Sequence, residues 1–122
     1  MRYREFVLAV EGGRDVGAAT LLAGDLSYRL LDGRADLALL QDLRVATGER
    51  GRGVGTALFA HIAGMARERG LRQLKIETQN VNPRACHFYR RQGGVLGGIA
   101  RHAYAGDPVA HGDVQLLWYL DL

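Results

Sequence analysis

The chain has a single cysteine, Cys86, which excludes an internal disulfide and any cysteine-built metal site and points to a reducing, cytoplasmic setting. It also has a single lysine, Lys75, so its positive charge is almost all arginine, whose planar forks suit phosphate groups. No apolar run approaches the roughly 18 residues a membrane span needs, and the start Met1-Arg2-Tyr3-Arg4-Glu5 does not lead into a signal peptide. Nor is charge of one sign concentrated anywhere. The formal net charge is +3 and the arginines are spread over several elements, a poor basis for a surface that tracks nucleic-acid phosphates. The four histidines, His61, His87, His102 and His111, lack the spacing of metal ligands, so no metal is expected. What is present is ordinary globular material: 48% hydrophobic and 24% charged residues over 122 positions, the composition and length of one domain, residues 1–122.

Periodicity supplies the elements. Arg4 to Val10 reads as a strand, Gly12-Gly13 within the following turn takes positive φ cheaply, and Val16 to Leu22 is the return strand. Asp36 to Ala46 is a third strand, completing an antiparallel meander. Over residues 55–69 the period changes. Leu58, Ile62 and Met65 recur at helical spacing, Ala57, Ala60, Ala63 and Ala66 lie between them, and Gly70 supplies the C′ position. Leu74 to Thr78 is a short strand, and Asn82-Pro83 opens a second helix through Gln92, with asparagine as N-cap and proline at N1. Gly93-Gly94 stops it, and Val95 to Ile99 and Val114 to Leu120 follow as two strands expected to pair antiparallel. The order βββαβαββ predicts an α+β fold with a mostly antiparallel sheet and helices on its faces.

The stretch with chemical content is Arg50-Gly51-Arg52-Gly53-Val54-Gly55-Thr56, between the third strand and the first helix. Closely spaced glycines let a ligand approach the backbone, and a helix start offers unpaired N–H groups and partial positive charge. A diphosphate suits such a turn, and so does no ligand at all. The missing Gly-Lys-Ser/Thr disfavours a P-loop, and Leu58 stands where a dinucleotide fingerprint needs its third glycine.

Arg50-x-x-Gly53-x-Gly55, directly after Leu43-Arg44-Val45, resembles the acetyl-CoA-binding signature of the GNAT family of N-acetyltransferases. The later run from Glu77 through Asn82-Pro83 to Phe88-Tyr89 is similar to the family's second motif. Within the family the chain most resembles the streptothricin acetyltransferases, which also end in a segment like Leu117-Trp118-Tyr119. The resemblance implies the GNAT acyl-CoA N-acyltransferase fold and transfer of an acetyl group from acetyl-CoA to a primary amine of a small molecule, an antibiotic among the candidates. A non-catalytic acyl-CoA-binding module, or an acetyltransferase for a peptide or protein amine, are the competing expectations.

By the same resemblance, the backbone of Leu43, Arg44 and Val45 pairs with the pantetheine arm, between strands that splay apart at 36–46 and 74–78. The stretch Arg50, Gly51, Arg52, Gly53, Val54, Gly55 and Thr56 holds the pyrophosphate through its backbone N–H groups, and Asn82 reaches the cofactor in addition to capping its helix. Tyr89 protonates the departing thiolate; plain packing against the sheet is the other reading of it, and Phe88 is expected in the core. Asp42 and Glu77 are the candidates for general base, because Gln41 stands where related sequences carry a glutamate. Gly94 replaces a bulky aromatic, so looser packing is expected there. The family's usual first strand and two helices do not precede residue 4, which implies a minimal form, a misplaced start or a truncated chain, and the sheet edge left bare is expected to be covered in a homodimer.

Overall fold

The computed structural model describes residues 2–122, which divide into two units: the residues up to Leu74 together with Asp121 and Leu122, and Lys75–Leu120. Six strands and two helices follow one another as βββαβαββ, an α+β fold whose β1–β2, β2–β3 and β5–β6 pairs are antiparallel. Among the described residues no helix is long and apolar enough to cross a membrane.

In the first unit β1 (Tyr3–Glu11) turns into β2 (Arg14–Ala23) through Gly12 and Gly13, whose φ values of 57° and 77° suit the two-residue hairpin turn that a side chain would strain. β3 (Leu37–Val45) runs back along β2, from Ala23↔Ala38 to Gly17↔Val45. Leu37 to Leu40 are all buried, since both faces of β3 are covered there. One cover is α1 (Val54–Glu68), which turns Leu58, Phe59, Ile62, Ala63 and Ala66 inward against β2 and β3. Met65 is only half-buried, so the alanines at 63 and 66 do more of the packing than the Leu58–Ile62–Met65 spacing implied. The other cover comes from the connection after β2: Leu31, in a single 3-10 turn at Arg29–Leu31, is fully buried with Leu22, Leu37 and Leu39. Gly17 explains how α1 sits so close. A Cβ there would lie 3.0 Å from the Arg44 carbonyl oxygen and 3.3 Å from Val54 Cγ1.

β4 (Gln73–Gln79) begins in the first unit and continues into the second, where the strand order is β4-β6-β5. α2 (Pro83–Arg91) starts on Asn82, whose Oδ1 accepts from the Ala85 N–H at 3.2 Å. β5 (Val95–Ala100) pairs with β6 (Gln115–Asp121) from Val95↔Tyr119 to Ala100↔Gln115, as expected. Trp118 Nε1 donates to Thr78 Oγ1 at 2.9 Å inside this unit. The single lysine is buried here, Nζ 5.6 Å from the centre of the Tyr119 ring.

Two expectations fail in this unit. Gly94 is buried against the Tyr89 carbonyl, which would lie 2.9 Å from an added Cβ and accepts the Gly94 N–H at 2.9 Å. The position is tightly packed, because the chain doubles back on the last turn of α2 before entering β5. Phe88 is half-buried while Tyr89 is buried, the two rings meeting edge-on at 5.2 Å. On a nine-residue helix with one inward stripe, the core position goes to Tyr89.

Candidate functional site

Each unit carries one group of the residues singled out by the sequence. In the first, Thr47–Glu49 form a single 3-10 turn after β3, and the chain then passes through Arg50, Gly51, Arg52 and Gly53, all exposed. Gly51 and Gly53 sit at φ 79° and 83°, where an L side chain is strained, and no atom lies within 4 Å of a Cβ placed on either. Gly53 is the N-cap of α1 and contributes no side-chain acceptor. The N–H groups at the start of α1, on Val54, Gly55 and Thr56, therefore have no capping side chain, at the positive end of a 15-residue helix.

The two arginines of the loop differ. Arg50 forms no ion pair among the described residues. Arg52 pairs through Nη1 with Glu49 and through Nη2 with Glu11, the latter at 2.7 Å. Its hydrogen bond, then its charge, hold the Glu11 carboxyl below the usual carboxylate range. Just upstream, Leu43, Arg44 and Val45 end β3 next to a bulge: Ala18 faces Arg44 while Thr20 faces Gln41. Asp42 lies in that bulge at φ 54°, with its side chain 70% exposed and 3.5 Å from Arg44 Nη2. Gln41 turns the other way and donates to Tyr28 Oη at 2.9 Å.

In the second unit Tyr89 is 6% exposed, and burial raises its phenol to a pKa of about 12. It therefore stays protonated across the physiological range. Glu77 is half-buried on β4, and its Oε2 accepts from Tyr104 Oη at 2.7 Å and from Gln115 Nε2 at 2.5 Å. Burial first, then that bond to Glu77, raise the Tyr104 phenol above its ordinary value. Sequence reasoning named Glu77 but missed its convergence with Tyr104 and Gln115. Tyr104 and Gln115 lie 27 and 38 residues from Glu77, and no local pattern announces such a convergence. The residue Asp107 in the same connection shapes a turn, its Oδ1 accepting from the N–H groups of Val109 and Ala110. All four histidines are exposed, and no group of three or more His, Cys, Asp or Glu able to hold a metal occurs among the described residues.

Comparison with known proteins gives these groups a context. The model of the acetyltransferase (GNAT) family matches residues 2–94. The chain is 42% identical over 93 residues to a streptothricin acetyltransferase of Streptomyces lavendulae, covering 75% of this chain and 48% of that one. It is 37% identical over 82 residues to streptothricin acetyltransferase A of Bacillus subtilis, covering 67% and 47%. A Bacillus anthracis protein assigned as a streptothricin acetyltransferase, solved in complex with acetyl coenzyme A, superimposes with a TM-score of 0.83 at 28% identity, covering 98% of this chain and 62% of that one. The matched segment takes in about half the length of each of these curated relatives. The glycine loop and the Asn82-Pro83 helix both fall inside the matched residues, and on that agreement of sequence and fold the chain belongs to the acetyltransferase (GNAT) family.

Proposed function

We propose that the protein transfers an acetyl group from acetyl-CoA to a primary amine of a small molecule of the streptothricin type. The observation that carries this reading is the helix start at Gly53, where positive φ and the lack of a capping side chain leave backbone donors for a phosphate. The complex of the Bacillus anthracis relative with acetyl coenzyme A supports the choice of cofactor.

The roles follow from the chemistry of the groups. The N–H groups of residues 51–56 hold the pyrophosphate, the backbone of Leu43 to Val45 lies along the pantetheine arm, and Asn82 adds a cofactor contact to its capping bond. The amine attacks the thioester carbonyl, the C–S bond breaks, and Tyr89 gives its phenolic proton to the departing thiolate. Burial keeps the Tyr89 phenol in its protonated form, the form able to donate, and leaves it no part as a base. For the proton lost by the ammonium, Glu77 is the better of the two candidates. It is half-buried and oriented by two donors, whereas Asp42 points its carboxylate to solvent beside Arg44. We place the protein in the cytoplasm as a homodimer through β1, the outermost strand of its unit, where Phe6, Leu8 and Val10 are 68%, 49% and 59% exposed.

Thermal unfolding with acetyl-CoA, against ATP and NAD controls, tests the first step. Ligand at 100 times its dissociation constant adds about 2.7 kcal/mol, a rise of several degrees in the midpoint. Release of free thiol on adding a streptothricin tests the second. A shift without thiol release from any amine would leave an acyl-CoA-binding module, and no shift would remove the cofactor assignment. A gel-filtration mass of one chain at micromolar concentration would remove the dimer.

A further inference from the structure

We propose that Arg52 is a positioning residue of the glycine loop and not a phosphate ligand. Through Glu49 and Glu11 it fastens the loop to the β1–β2 hairpin and so sets the direction of the amides of residues 51–56. The inference rests on the acetyl-CoA reading given above.

Both terminal nitrogens of Arg52 are engaged, Nη1 by Glu49 Oε2 and Nη2 by Glu11 Oε1. The other oxygen of Glu49 accepts from Arg14 Nη2 at 2.9 Å. The result is a row of alternating charge, Arg14–Glu49–Arg52–Glu11, in which Glu11 and Arg14 flank the Gly12-Gly13 turn of the hairpin. Glu49 is only 7% exposed, and a carboxylate taken that far from water must be paired. The helix side of the loop is held by its own hydrogen bond, the Ala57 N–H donating to the Gly53 carbonyl at 3.0 Å, whereas the space beside the Gly51 α-carbon is open, with no atom within 4 Å of a Cβ position.

The placement of charge also favours a brace. Two carboxylates beside an anion cradle oppose phosphate binding by simple Coulomb repulsion. Their presence is understandable if the loop gains more from being held in one shape than it loses in field. Arg50, exposed and outside the row, is the arginine whose charge remains available to an anion.

The test is calorimetric titration of the whole chain with acetyl-CoA, for the wild type, Arg52→Ala, Glu49→Gln and Glu11→Gln. A brace predicts weaker binding in all three, about five- to tenfold for Arg52→Ala and Glu49→Gln and about threefold for Glu11→Gln. Direct phosphate contact predicts opposite signs: Arg52→Ala weakens binding, while either Glu→Gln change frees Arg52, removes a repelling charge and tightens it. That result overturns the proposal. Glu11→Gln is an exposed change and keeps the test alive if Glu49→Gln does not fold. A second readout needs no ligand. Backbone order parameters of Gly51 and Gly53 should fall from near 0.85 to below about 0.6 in Arg52→Ala; unchanged values overturn the brace. A wild type that does not bind acetyl-CoA would defeat the cofactor reading alone, since the order parameters still decide whether the loop is braced.

Discussion

The glycine loop of the first unit and the Tyr89–Glu77 region of the second ready their groups by opposite means. In the loop the useful atoms are backbone N–H groups, exposed to solvent, aimed by positive φ at Gly51 and Gly53 and surrounded by surface charge. In the second unit they are side chains, tuned by burial: Tyr89 is kept protonated by desolvation, and Glu77 is oriented by Tyr104 and Gln115. The first arrangement suits holding an anion that arrives already charged. The second suits moving a proton, where the energy of the charged form is what must be controlled.

Four experiments would break or sharpen this contrast. The largest effect is expected from Tyr89→Phe, which keeps the packing and removes the proton. Turnover should fall about 10²-fold or more while the acetyl-CoA dissociation constant stays within about twofold. A parallel loss of cofactor affinity would move Tyr89 into the binding group. Next comes alkaline pH. The folded protein holds the Tyr89 proton to about pH 12 while an unfolded phenol releases it near 10, so ionisation favours the unfolded state in that window. Stability should be full below pH 10 and fall by roughly 2 to 3 kcal/mol on approaching 12, with Tyr104 adding to the slope. Denaturant titrations at several pH values measure it, and Tyr89→Phe should flatten part of the curve.

The third and fourth experiments oppose two glycines. Gly94→Ala drives a Cβ to 2.9 Å from a backbone carbonyl and should cost about 1–3 kcal/mol through overpacking. Gly51→Ala meets no atom and pays only for its φ of 79°, about 1 kcal/mol. Its main effect should appear in acetyl-CoA affinity, through misdirected amides. If Gly94→Ala proved harmless, or Gly51→Ala changed stability but not affinity, the division between a packed region and a backbone-donor region would not stand.

Much of this molecule is decided within short windows of sequence. The Gly12-Gly13 hairpin, the caps Asn82 and Gly70, the glycine loop before a helix and the order βββαβαββ all follow from residues within one or two turns of each other, where local sterics and backbone hydrogen bonding act. The choice of Tyr89 over Phe88 as the buried ring does not. It depends on which face of a nine-residue helix meets the sheet. Leu31 belongs to the core only because a long connection folds back over β3. The tight seat of Gly94 needs the chain to reverse against α2. The two arrangements on which the proposed roles rest, Glu77 with Tyr104 and Gln115 and Arg52 with Glu49 and Glu11, join residues up to 41 positions apart. Ion pairs and side-chain hydrogen bonds act over a few ångströms, so whether they form is settled by where the strands and loops bring their residues, and that only the tertiary structure decided.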